Sequence, residues 1–115
     1  MKIRFILAIA AVAVFGLAAS AQAQDKALIE KGMKVYETQK CSLCHSVAGK
    51  GNAKGALDGV GSKLTEADIR LWMTDPKTAT TKAKATRTPP MKAFTSLPKE
   101  DMDAVVAYML SLKKK

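Results

Sequence analysis

The sequence predicts an all-α fold, and three observations support this prediction. Apolar residues recur at helical spacing in three segments of the chain. No run of alternating apolar and polar residues indicates a strand. Stretches that contain glycine and proline separate the helical segments, as expected for loops. We therefore expect one small domain of three main helices joined by long loops.

The N-terminus has the pattern of a secretory signal peptide. A basic start precedes an apolar run of 15 residues from Phe5 to Ala19, and Ala21-Gln22-Ala23 is a small-residue cleavage site. The run is shorter than the roughly 20 residues that a membrane-spanning helix needs. We predict that residues 1–23 are removed and that residues 24–115 form a periplasmic domain without stable membrane insertion. An uncleaved anchor is the alternative.

The first predicted helix runs from about Asp25 to Lys40. Its stripe at helical spacing consists of Leu28, Gly32, Val35, Tyr36 and Gln39. Glycine inside a helix costs about 1 kcal/mol relative to alanine. Gly32 therefore indicates a place where another backbone or a ring comes close.

The next segment, Cys41-Ser42-Leu43-Cys44-His45, contains both cysteines and the only histidine of the chain. C-x-x-C-H is the attachment signature of c-type haem. On a helical turn, side chains at i and i+3 project to the same side, so two thiols can reach the two vinyl groups of one porphyrin. The adjacent histidine is a standard proximal ligand of haem iron. We predict one covalent haem c held by Cys41 and Cys44, with its iron bound by His45.

Other uses of the same residues fit less well. A zinc site needs about four ligands, and this segment offers three. A catalytic dithiol usually lies in a βαβ context, and no strand pattern precedes Cys41. A structural disulfide would leave the adjacent histidine unexplained. An exported dithiol oxidoreductase or a haem-handling factor remains an open alternative.

The second predicted helix follows a glycine-rich loop and runs from about Thr65 to Thr74. Thr65 is its predicted N-cap, with Asp68 three residues later. Trp72 and Met73 belong to its apolar face, and Pro76 is predicted to end it.

The third predicted helix runs from about Pro98 to Lys113. Proline is tolerated in a first helical turn. The apolar stripe of this helix consists of Met102, Val105, Val106, Met109 and Leu112.

The second axial ligand of the iron has to be methionine, lysine or water, or be absent, because there is no second histidine. Met102 and Met109 lie on the apolar stripe of the third helix and are best interpreted as core residues. Met91 lies instead in the loop Thr88-Pro89-Pro90-Met91, where two prolines stiffen the backbone. We favour Met91 as the distal ligand, since a His/Met pair is a known way of holding haem iron.

In the order of its motifs the chain resembles the class I c-type cytochromes over essentially the whole predicted mature length. The segments that carry the resemblance are Cys41-Ser42-Leu43-Cys44-His45, Gly32-Met33-Lys34-Val35-Tyr36, Leu71-Trp72-Met73-Thr74-Asp75-Pro76, Pro90-Met91 and Ala107-Tyr108-Met109-Leu110. The resemblance implies a cytochrome c-like bundle around one haem, with the first helix crossing the last near Tyr108. It also implies that Trp72 and Met73 line the haem pocket and that Met91 is the distal ligand.

One position departs from the family pattern. The segment Lys54-Gly55-Ala56-Leu57 has Gly55 where the family usually has proline. In the family, the backbone carbonyl at this position accepts the N–H of the proximal imidazole. We expect Gly55 to offer that carbonyl from a looser loop.

The predicted function is electron transfer rather than catalysis, because iron with a ligand on each face has no open position for a substrate. The alternative is a haem enzyme or a gas or ligand sensor with an open or labile distal site. The net charge of +9 favours acidic redox partners, and nothing resembles a nucleic-acid-binding element. Between Pro76 and Lys99 there is no acidic residue, and the basic residues of this run are Lys77, Lys82, Lys84, Arg87, Lys92 and Lys99. We expect a monomer that docks through this run.

Overall fold

The computed structural model describes residues 25–115 and is mainly helical, which confirms the all-α prediction. Helix α1 covers residues 25–38. The other elements, in chain order, are a 3-10 helix at Cys41–Leu43, strand β1 at Ser46–Val47, strand β2 at Lys50–Gly51, a second 3-10 helix at Ala53–Gly55, and helices α2 at Val60–Lys63, α3 at Glu66–Thr74, α4 at Pro76–Ala83 and α5 at Lys99–Ser111.

The three predicted helices are α1, α3 and α5, and their observed ends differ from the predicted ones by at most two residues. Helix α1 ends before Lys40, whose φ of 57° is left-handed and stops a helix. Helix α3 begins directly after Thr65, as its cap predicted. The Thr65 hydroxyl accepts from the Asp68 N–H at 3.2 Å, and the Asp68 carboxylate accepts from the Thr65 N–H at 3.2 Å. This is a complete capping box.

Two further helices and a short hairpin were not predicted. Pro76 does end α3, but it also occupies the first turn of α4, where its missing N–H is not needed. The Asp75 side chain caps α4 by accepting from the Thr78 N–H at 3.2 Å. Only Pro76 and Ala79 of α4 are buried. Helix α4 therefore has no apolar stripe that a sequence pattern could reveal. Strands β1 and β2 pair antiparallel over two residues each, too few for an alternating pattern.

Helices α1 and α5 cross where the glycine of α1 indicated a close approach. A Cβ atom on Gly32 would run into the carbonyl of Ala104 and the Cβ of Tyr108. Tyr36, one turn further along α1, meets Tyr108 edge to face with ring centroids 5.7 Å apart. The crossing implied by the family resemblance is therefore present.

The core lies mainly along α5. Its buried members include Met102, Val105, Val106, Tyr108 and Met109, and Met73 of α3 and Phe94 pack with them. Met102 and Met109 are core residues, as predicted. The end of the chain then folds over α2, where the Gly61 N–H donates to the Leu112 carbonyl at 2.9 Å.

The predicted signal peptide at residues 1–23 lies outside the described residues. Within residues 25–115, no helix combines the length and the apolarity that crossing a bilayer would require.

Candidate cofactor site

The two cysteines lie at either end of one tight turn. The N–H groups of Cys44 and His45 both donate to the carbonyl of Cys41, at 3.1 and 2.9 Å. Both thiols are free. Cys41 is half-buried against the core, and Cys44 is exposed. The turn therefore presents two cysteine sulfur atoms and the histidine within five residues.

The imidazole of His45 is held by a backbone carbonyl. Its Nδ1 lies 3.0 Å from the oxygen of Gly55. A carbonyl oxygen can only accept, so the proton of the neutral ring lies on Nδ1 and the lone pair on Nε2. Burial lowers the pKa of His45, while the hydrogen bond to Gly55 works in the opposite direction. No described residue makes a hydrogen bond to Nε2, which is free to bind a metal ion.

The loop at Gly55 is hydrogen-bonded and closely packed, and the expectation that it is looser than the family's stays a prediction. The Gly55 N–H donates to the Asn52 carbonyl at 3.1 Å. A Cβ atom at Gly55 would run into the carbonyl of Cys44 and into the guanidinium of Arg87. Because Cys44 presents backbone here, a side chain at position 55 would force the turn itself to move. Glycine is the residue that fits.

Asn52 is a functional candidate that the sequence interpretation missed. Its backbone N–H donates to the carbonyls of both Ser42 and His45, at 3.1 and 2.9 Å. Its side-chain amide donates to the Leu43 carbonyl at 3.2 Å, and its side-chain oxygen accepts from the Lys54 N–H at 3.1 Å. The second of these side-chain contacts is typical of asparagine in turns, and it is the one signal that the sequence offered.

The distal candidates lie on a different part of the chain. Met91 is half-buried and packs against the same core cluster as Cys41. The segment after it is tied to α3, because the Phe94 N–H donates to the Met73 carbonyl at 2.7 Å. Met73 is buried in the cluster, whereas Trp72 is half-buried. The structure thus brings Cys41, Met73 and Met91 to one cluster.

One buried polar atom is left without a partner in the described part of the chain, and it is the hydroxyl of Tyr36. Burial raises the pKa of Tyr36, and the nearby thiol of Cys41 raises it further. An orphaned donor thus lies close to one of the two attachment candidates. Together with two free thiols and an imidazole with an open Nε2, it fits a bound porphyrin. In residues 25–115, no three His, Cys, Asp or Glu side chains are arranged so that they could together hold a metal ion.

The predicted basic run is partly neutralised by ion pairs. Lys82 lies 3.0 Å from Asp68, and Lys99 lies 2.7 Å from Asp103. In the described residues the other four members of the run make no ion pair; we call them the basic surface, and they are Lys77, Lys84, Arg87 and Lys92. Lys92 also lies over the Phe94 ring, with Nζ 5.1 Å from its centroid.

Two comparisons with known proteins found a match. The family model described as Cytochrome c matches residues 29–113. The chain is also similar to cytochrome c oxidase subunit 2 of Alkalihalophilus pseudofirmus (strain ATCC BAA-2126 / JCM 17055 / OF4), with 29% identity over 109 residues. That alignment covers 87% of this chain and 30% of the relative, so the chain spans less than a third of the relative's length. No solved structure gave a match.

Proposed function

The chain belongs to the cytochrome c family, and we propose that it is an exported single-haem electron carrier whose iron is held by His45 and Met91. The family binds covalently attached haem c and transfers electrons. The observation that carries the more specific proposal is the His45 imidazole, whose Nδ1–H is held by Gly55 while its Nε2 stays free.

Cys41 and Cys44 are the proposed attachment residues, because they are the only cysteines of the chain. The turn between them holds their sulfur atoms three residues apart, as the two vinyl groups of one porphyrin require. When bound, haem supplies a single iron that cycles between the ferrous and ferric states.

The remaining residues orient this group and limit what it can do. Gly55 fixes the His45 ring and makes Nε2 a stronger donor, since a hydrogen bond from the other ring nitrogen raises ligand basicity. Met91 would fill the opposite face, and Trp72 and Met73 would line the pocket. With both faces filled, no position is left for a substrate. The segment from Pro76 to Lys99 also offers no carboxylate that could act as an acid or base.

A labile distal site is the second candidate, and one observation favours it. The backbone of residues 86–93 makes no hydrogen bond to the described part of the chain. If Met91 leaves the iron easily, a small ligand could take its place, as in a sensor or a haem enzyme.

An absorption spectrum tests the attachment. We expect the spectrum of a c-type haem, with pigment that stays on the protein after denaturation and acid-acetone extraction. Pigment that washes out would contradict covalent attachment. N-terminal sequencing of the same exported protein should begin at Gln24 if residues 1–23 are a signal peptide.

The distal ligand is tested by Met91→Ala, with Met33→Ala as the matched control because Met33 is exposed on α1. We expect Met91→Ala to abolish the ferric methionine-to-iron band, to lower the reduction potential and to open the ferrous iron to carbon monoxide. Met33→Ala should change none of these. Carbon monoxide binding by the wild-type protein would favour the second candidate.

The basic surface is the proposed docking site for acidic redox partners. Four unpaired positive charges on one run would speed encounter with an acidic protein and make it sensitive to salt. The similarity to an oxidase subunit makes an oxidase one candidate acceptor. We expect Lys92→Gln to slow electron transfer at low salt more than Lys63→Gln, which lies outside the run. Equal rates in the two variants would contradict docking through this surface.

A further inference from the structure

Gly55 stands where the family resemblance leads us to expect proline, yet the loop around it is hydrogen-bonded on both sides of the imidazole contact. A proline ring fixes φ and so limits the backbone at its own position. Gly55 has no such restriction. The carbonyl of Gly55 nevertheless lies 3.0 Å from His45 Nδ1, so another part of the chain has to hold it there.

Asn52 is bonded to both sides of this contact. On the His45 side, its backbone N–H and its side-chain amide together engage the carbonyls of Ser42, Leu43 and His45 at 2.9 to 3.2 Å. These three carbonyls belong to the attachment segment itself. One residue therefore makes hydrogen bonds to three carbonyls of the turn that carries the thiols and the imidazole.

On the Gly55 side, Asn52 is the N-cap of the 3-10 helix that ends at Gly55. Its side-chain oxygen accepts from the Lys54 N–H at 3.1 Å, and its backbone carbonyl accepts from the Gly55 N–H at 3.1 Å. Asn52 therefore positions both partners of the proximal contact, namely the Gly55 carbonyl and the His45 imidazole.

We propose that Asn52 is a positioning residue for the proximal ligand, and that its side-chain hydrogen bonds to Leu43 and Lys54 hold His45 and Gly55 in register in place of the usual proline. This inference rests on the proposed haem ligation by His45. Its consequence is that Asn52 sets the strength of the His45–Gly55 hydrogen bond, and through it the electron donation of the imidazole to iron.

The test compares two neutral substitutions in the haem-bearing protein. Asn52→Ala removes both side-chain hydrogen bonds, whereas the hydroxyl of Asn52→Ser keeps an acceptor for the Lys54 N–H but cannot reach the Leu43 carbonyl. The control is Ser62→Ala, which removes a side-chain contact to the Lys114 N–H outside the attachment segment. Neither Asn52 variant changes the charge of the protein, so a direct electrostatic effect on the iron is avoided.

A weakened proximal hydrogen bond makes the imidazole a poorer donor and so favours the ferrous state. We expect Asn52→Ala to raise the equilibrium constant for reduction about two- to tenfold, tenfold being 59 mV for one electron. Deuterium exchange of the His45 Nδ1–H should become faster in the same variant. Asn52→Ser should fall between Asn52→Ala and the wild-type protein in both measurements.

Loss of haem attachment in the Asn52 variants, with normal attachment in Ser62→Ala, would support the same positioning role. If attachment is retained and both the potential and the exchange match those of Ser62→Ala, the proposal is overturned. That result would leave the proposed function standing, because the wild-type spectrum tests haem attachment independently.

Discussion

The segment that carries Cys41, Cys44 and His45 differs sharply from the segment that carries Met91. In the first, Asn52 alone engages three carbonyls, and the Leu57 N–H also returns to the Ser46 carbonyl at 2.8 Å. In the second, residues 81–90 are all exposed, and the backbone of residues 86–93 makes no hydrogen bond to the described residues. We call the first the proximal segment and the second the distal segment, after their proposed positions at the iron. The proximal segment is held by backbone hydrogen bonds, whereas the distal segment is held by the packing of Met91 on the core and, if the proposed ligation is right, by the bond from Met91 to iron.

The largest expected effect comes from removing the attachment points altogether. A domain of this size buries only about 60 to 65% of its unfolded surface, and such scaffolds usually need an additional constraint. We expect haem-free Cys41→Ala/Cys44→Ala protein to lose its cooperative thermal transition, measured by circular dichroism. A sharp, native-like transition without haem would show that the hydrogen bonds of the proximal segment suffice.

A smaller effect on stability is expected in the hairpin of β1 and β2, which follows His45. Gly51 has φ of 111°, and a Cβ atom there would run into the His45 carbonyl. Since strained backbone costs about 1 to 3 kcal/mol and the collision adds to it, we expect Gly51→Ala to lower the free energy of unfolding by about 3 kcal/mol. The measurement is denaturant unfolding of the haem protein.

Gly49 provides the matched control in the same hairpin. Its φ of 80° is also left-handed, but nothing lies within 4 Å of an added Cβ. Gly49→Ala should therefore cost only about 1 to 2 kcal/mol. Equal losses in the two variants would mean that the packing against His45 is not tight.

The distal segment is probed by its sensitivity to protease. If the bond from Met91 to iron is its main tether, Met91→Ala should speed tryptic cleavage after Lys84, Arg87 and Lys92 by about tenfold. Met33→Ala should leave the rate unchanged. Identical cleavage in all three proteins would indicate that the distal segment is held by contacts of its own.

The smallest effect concerns helix α4, which leads into the distal segment. Its Lys82 forms an ion pair with Asp68 of α3. The contact with Lys82 lowers the pKa of Asp68 to about 2, with help from Thr65. Because the folded pKa lies below the ordinary value near 4, this stabilisation is present above pH 4 and is lost as the pH falls towards 2. Asp68→Asn should therefore flatten the loss of stability between pH 4 and 2, measured by urea unfolding.

The control for the acid effect is Glu30→Gln, an exposed carboxylate on α1 with no ion pair in residues 25–115. It should lose stability with acid as the wild-type protein does. An unchanged acid profile in Asp68→Asn would show that α4 is not anchored through Lys82.

Local signals were sufficient where a short segment decides its own structure. Thr65 and Asp68 predicted the start of α3, and the capping box is present. Gly32 indicated a close approach, and it is the point at which α1 meets α5. The C-x-x-C-H segment predicted a haem protein, and the family match agrees.

Other features depend on contacts between distant residues, which the sequence does not display. Helix α4 has only two buried residues, so its position is set by its caps and by Lys82 rather than by a stripe. The fit of glycine at position 55 depends on how closely the folded turn brings the carbonyl of Cys44 to it. The role of Asn52 depends on which carbonyls the folded turn brings within its reach.

The crossing of α1 and α5 joins the two ends of the described chain, while the exposed residues 81–90 form a bridge between them. A protein nicked in that bridge would keep both pieces together, since Gly32 and Tyr36 belong to one piece and Ala104 and Tyr108 to the other. The same bridge is therefore a suitable place to split this molecule into two complementing pieces. Only the piece with the proposed attachment residues Cys41 and Cys44 would carry haem and its colour.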